Sequence, residues 1–211
     1  MKLNMRREDV RKAEMTLPKR TDRRIERTQQ LLRDALVSLI KEKGFEALTV
    51  QEIIDRANVG RATFYSHFDN KDDLLVSGFE DLRASLKGRQ TDAFARGRTI
   101  EERVLGFSRD VFAHTHEYRD AFRAMVGRRS GAIVQRLLHK LVVELVREDV
   151  KRMDVRADGS TVHAEALVHF IAGALVGVLM WWLDGRMRLS VDEVNAYFRR
   201  LALPALKAAR G

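Results

Sequence analysis

At 211 residues, with 45% hydrophobic content, the chain can bury a real core in one large domain or two small ones, which excludes disorder along its whole length. A formal net charge of +9 points to an anionic partner, either nucleic acid or an acidic membrane surface. The absence of cysteine excludes a disulfide framework, a thiolate metal site and a thiol nucleophile, so the cytoplasm is the expected compartment.

Both prolines, Pro18 and Pro204, lie near the ends, and the Leu/Ala/Arg/Glu-rich runs between them make an all-α fold the expectation. The first residues are charged and develop no apolar stretch followed by a small-residue cleavage site, so no secretory signal is expected. Residues 1–33 hold eleven Lys/Arg against five acids, six of the nine net positive charges. Residues 1–21 therefore read as a basic, flexible arm suited to tracking phosphates or entering a minor groove.

From Asp22, apolar residues Ile25, Leu32, Leu36 and Leu39 recur at helical spacing, and Lys43-Gly44 supplies a stop, giving a first helix over about 23–43. Thr49 stands three residues before Glu52 in a capping box, so a second helix begins at Val50 and turns Ile53, Ile54 and Ala57 inward. Asn58 accepts the left-handed backbone of a tight turn, and a third helix follows over about 60–67. Two short helices after a longer supporting one are a helix-turn-helix, although helical hairpins without a DNA function share that spacing. Asp69 to Asp72 open a fourth helix reaching about Arg89, and Gln90 to Thr99 read as a loop. Further helices are expected at about 99–115, 118–127, 131–153, 160–184 and 191–208.

The run GFEALTVQEIIDRANVGRATFYSHFDNKDDLL, Gly44 to Leu75, closely resembles the DNA-binding segment of the TetR family. There a Thr-capped helix, a turn and a helix reading T-x-Y-x-H-F precede a lysine opening the next helix. The C-terminal run from His169 to Leu203, with Trp181-Trp182, looks more loosely like the ligand-binding and dimerising part of some members. The resemblance implies a DNA-binding domain over 22–75 and a helical ligand-binding and dimerisation domain over 76–211. It implies a transcriptional regulator, expected to repress from a palindromic double-stranded operator as a homodimer and to be released by a small hydrophobic or aromatic effector.

On the chemistry of each position, Thr63, Tyr65 and His67 can donate to phosphate oxygens, and Arg61 can match guanine O6 and N7 bidentately. Lys71 opposes its helix dipole, which a nearby phosphate would explain. Arg20, Arg23, Arg24, Thr49 and Gly60 complete the expected DNA-binding set. Gly60 stands where many family members have serine, which removes one N-cap hydroxyl and one phosphate contact. Singly, Arg61 also reads as a solvated charge and Tyr65 as core or surface.

Phe112, Tyr118, Phe122, Met125, His169 and Trp182 are the expected ligand-binding residues, each also readable as ordinary core. Phe170, Gly173, Gly177, Val194, Phe198 and Leu201 are the expected dimer interface. The segment 166–183 nearly matches a membrane span and contains Gly173-x-x-x-Gly177, but His169 lies inside it and Glu165 and Asp184 bracket it, so a buried helix without membrane contact is preferred. Catalysis is not expected: His114 and His116 diverge on a helix, and no metal, nucleophile or phosphate-cradling motif appears, so neither a metal nor a cofactor is expected. The remaining rival, an architectural nucleic-acid binder without an effector, leaves the long C-terminal part without a purpose.

Overall fold

The computed structural model describes residues 20–97, 99–125, 128–153 and 161–208, and every regular element among them is an α-helix. Of the arm expected over 1–21, all but Arg20 and Thr21 lies outside the described residues; these two open α1, and the Arg20 side chain lies outside them too.

α1 (Arg20–Lys43) buries Leu32, Ala35, Leu36, Leu39 and Ile40, the i, i+3, i+4, i+7, i+8 stripe of a surface helix. Gly44 ends it at φ +79, a left-handed conformation that glycine adopts without strain, and a Cβ there would meet Arg128 Nη1 at 2.6 Å. α2 (Val50–Ala57) starts on the expected capping box of Thr49 and Glu52 and ends on Asn58 at φ 52, ψ 48. α3 (Arg61–Tyr65) is shorter than the expected 60–67: Gly60 is extended as its N-cap at φ −71, ψ 148, and the chain leaves the helix at its C-cap Ser66.

α4 (Lys71–Arg96) is capped by Asn70, whose side chain accepts from Asp73 N–H at 2.9 Å. It runs through the expected loop at 90–99. Gln90 is buried, its amide donating to the Leu145 carbonyl at 2.6 Å and to Asp149 Oδ1 at 2.5 Å, and Gly97 supplies the stop. α5 (Ile100–Arg103) begins on a second capping box, Thr99 and Glu102, followed by α6 (Ser108–Glu117), α7 (Arg119–Met125), α8 (Arg129–Arg152), α9 (Thr161–Asp184) and α10 (Val191–Ala208).

Two apolar clusters result. One joins α1, α2, α3 and the start of α4 around Leu36, Ile40, Ile53, Phe64 and Leu74, and it also takes in Ala121, Met125 and Val134 from α7 and α8. The other joins α4 to α10 around Leu86, Phe107, Leu145, Leu175 and Phe198. Phe79 and Phe122 touch both, so α4 and α7 form a continuous apolar bridge between the two ends of the chain.

α9 is long and apolar enough to cross a membrane, with a mean hydropathy of 2.0 over Ala164–Asp184. Its inner face, Val168, Ile171, Leu175, Leu179 and Trp182, is buried among α8, α10 and α6. Its outer face exposes Phe170 and Trp181, each at 60%.

Several expected residues change place on this scaffold. Val194 and Phe198, expected at a dimer interface, are buried at 0% and 1% in the chain's own core, because they lie on the stripe of α10 that faces α6 and α9. Phe112 and Trp182, expected to line a ligand pocket, pack edge to face at 5.8 Å, and Phe112 also contacts Phe198 at 6.2 Å. The Trp182 indole N–H is spent on the Leu189 carbonyl at 2.9 Å. His169, expected as a polar contact in that pocket, is exposed beside Glu165, with Nε2 at 3.3 Å from Oε1, since its position on α9 faces outward.

Candidate nucleic-acid interface

The surface of the helix-turn-helix is built by bonds that use up some polar groups and leave others facing out. Glu52 is held by the Lys43 ammonium and by the Thr49 N–H and hydroxyl, both at 2.9 Å, which lowers its carboxyl to about 2. The Arg56 guanidinium bonds both Glu42 oxygens, at 2.7 and 2.8 Å, and holds that carboxyl below the usual carboxylate range. Two pairs thus tie α2 onto α1, and residue types alone gave no signal that these charges were partners rather than free cations.

Lys71 corrects an expectation. Its ammonium donates to the carbonyls of Phe45 at 2.9 Å, Glu46 at 3.2 Å and Leu48 at 2.7 Å, and it sits 4.8 Å from the Phe45 ring centroid. All three N–H donors are consumed, so no phosphate is needed to explain a cation at a helix start. Lys71 fastens the α1–α2 connection beneath α4. Thr49 likewise spends its hydroxyl within the capping box.

The outward set is Arg61, Thr63 and Tyr65 on α3, with His67 just beyond. Phe64 between them is fully buried and anchors the helix. Arg61 Nη1 reaches Gln51 Oε1 at 3.3 Å, and its guanidinium lies 5.5 Å from the Tyr65 ring, which is 45% exposed. Gln51, which sequence reasoning missed, brings a polar amide from α2 beside Arg61; its place in the first turn of α2 was the available signal. Gly60 caps α3 without a side-chain bond, and Arg23 and Arg24 are exposed near the start of α1.

A buried anchor flanked by exposed Arg61 and Tyr65 and half-buried Thr63 on a short helix, set by a left-handed turn against a capped helix, defines a helix-turn-helix DNA-binding protein. Residues 32–77 match the model of bacterial regulatory proteins of the tetR family, and residues 102–203 match a transcriptional regulator C-terminal region. The chain belongs to the TetR family of transcriptional regulators, and these are regulators rather than enzymes.

Among its relatives, the HTH-type transcriptional repressor KstR2 of Rhodococcus jostii is 25% identical over 83% of this chain and 89% of its own length. The uncharacterised HTH-type transcriptional regulator YxbF of Bacillus subtilis is 21% identical over 81% of this chain, which spans only 43% of that relative's length. The solved structure of FadR from Thermus thermophilus, a TetR-family repressor in complex with lauroyl-CoA, superposes with a TM-score of 0.59 at 21% identity, covering 83% of this chain and 93% of that one.

Proposed function

We propose that this chain is a cytoplasmic repressor that binds a palindromic operator as a homodimer and is released by a small hydrophobic ligand. The observation that carries the reading is the pairing of two exposed surfaces: the polar face of α3, and an apolar stripe on α9 and α10. One short helix contacts too few base pairs for specificity, so helix-turn-helix proteins present two, roughly 34–36 Å apart on a two-fold site.

The stripe supports a second copy as its occupant. Ala166, Phe170, Gly173, Gly177 and Trp181 recur along the exposed side of α9, and Tyr197 and Leu201 stand exposed on α10, Leu201 at 68%. A Cβ built at Gly173 or Gly177 meets nothing within 4 Å, so both glycines offer close approach to a partner helix. Ligand release is supported by kinship: FadR of Thermus thermophilus is a repressor solved with lauroyl-CoA.

Arg61 is the residue assigned to base readout. Thr63, Tyr65 and His67, with Arg20, Arg23 and Arg24, are assigned to phosphates, and the DNA-binding unit over 22–75 is followed by the ligand and dimer unit over 76–211. Selection of binding sites from random duplexes, with sedimentation of the free protein, tests the reading. A two-fold symmetric consensus and a dimer at micromolar concentration are expected. A stable monomer, or binding without sequence preference, which would favour the architectural alternative, overturns it.

A further inference from the structure

Phe112, Trp182 and Phe198 pack against one another and fill the middle of the C-terminal core, where an effector was expected. A half-open cavity of about 310 Å³ lies between α1, α4, α6 and α7, with Val134 of α8 also lining it, where the helix-turn-helix meets the rest of the chain. We propose that this junction cavity binds a neutral, largely aromatic or alicyclic molecule bearing one hydroxyl or carbonyl group; the inference rests on the ligand-released reading and names its site and ligand chemistry.

Four observations carry it. The walls are apolar: Leu36 and Val37 from α1, Leu75 and Phe79 from α4, Phe122 and Met125 from α7. The volume lies at the lower end of the roughly 300–1,000 Å³ typical of small-molecule sites. The polar lining contributed by α6 and its C-cap is His114 and Tyr118, their rings 4.6 Å apart, and neither has a side-chain hydrogen bond among the described residues. They are a donor and an acceptor waiting for a partner.

The third observation is charge. Burial lowers His114 to about 4, so its imidazole is neutral at pH 7 and gives a carboxylate no ion pair. At the rim Arg33 is already paired with Asp81 at 2.7 Å, and Asp34 adds a negative charge. An entering anion would meet a cation already neutralised by Asp81 and face a second carboxylate, Asp34, so the site favours neutral molecules. Fourth, an occupant would touch α1 and α4, which hold the helix-turn-helix, and α6 and α7 at the same time. Ligand binding and the set of the DNA-binding module are thereby linked without an intervening relay.

Calorimetric titration of the full chain with 2-naphthol, naphthalene and 2-naphthoate tests the site without DNA. The expected result is one 2-naphthol per chain, bound about tenfold more tightly than either of the others. Tyr118→Phe and His114→Phe should each bring 2-naphthol close to the affinity of naphthalene. Gly78→Leu should abolish binding of both: a Cβ there meets only Arg33 Cδ at 3.9 Å, so the leucine side chain has room to fill the cavity. Its melting temperature should not fall, since leucine favours a helix over glycine.

Equal affinities for the three probes, no binding of any, or binding unchanged in all three variants overturns the site. Operator affinity with saturating 2-naphthol separates the two ideas. Release that persists in Gly78→Leu keeps the ligand-released reading and overturns the site. Binding that Gly78→Leu abolishes, with operator affinity unaffected by 2-naphthol in the wild type, keeps the site and overturns the release.

Discussion

Lys71 and Arg61 are both cations of the helix-turn-helix, and the structure uses them in opposite ways. Lys71→Met keeps an aliphatic stem against Phe45 but leaves three carbonyls without their donor, so stability should fall by about 2–3 kcal/mol in urea unfolding. The salt dependence of DNA binding should not change, since no phosphate contact is lost; a slope shallower by about one would return Lys71 to the DNA. Arg61 is exposed, with one long bond to Gln51, so Arg61→Ala should leave stability within about 0.5 kcal/mol of wild type. Under the proposed reading it relaxes discrimination at one base pair per half-site by about 1–3 kcal/mol. An unchanged preference over an operator library would remove Arg61 from base readout.

At the scale of elements, local chemistry was legible and long-range chemistry was not. The start of α2 and its left-handed end at Asn58 followed from the sequence, because capping boxes and asparagine turns act within four residues. The passage of α4 through Gln90 was hidden, since the partners that let this amide be buried, Leu145 and Asp149, lie on α8. α10 shows the harder limit. Two apolar stripes run along it, one through Val194 and Phe198, the other through Tyr197 and Leu201, and periodicity does not say which faces the chain's own core. The same ambiguity placed Phe112 and Trp182 in a pocket rather than in packing. On α9 the exposed glycines make the proposed interface testable. Gly177→Leu fills open space in a single chain but bars close helix approach, so helical content should hold while sedimentation shifts from dimer to monomer. A dimer of undiminished affinity would move the interface off this face.

For the whole molecule, two desolvated titratable groups, the buried Asp149 and the half-buried His114, give acid stability an internal balance. Asp149 on α8 accepts from Leu105 N–H at 2.6 Å and from Gln90, yet burial, the larger effect, raises it to about 6 from an ordinary 3.8. Its folded form prefers the proton, so its contribution to stability is greatest below about pH 4 and is lost as pH rises through 6. His114 has the opposite sign. Burial lowers it to about 4, so the folded form prefers the neutral ring, and its contribution is complete above about 6.5 and is lost as pH falls toward 4. Between pH 7.5 and 5 each moves stability by about 1–2 kcal/mol, in opposite directions. Removing either group therefore exposes the other. His114→Gln should become relatively more stable than wild type on going from pH 7.5 to 5, and Asp149→Asn relatively less stable, whatever each substitution costs at neutral pH. Urea unfolding of the three proteins at both pH values measures this directly. Parallel pH dependence in all three would mean that neither group is held away from its ordinary protonation, and His114 would then be charged below pH 6.5 and unsuited to a cavity that selects neutral molecules.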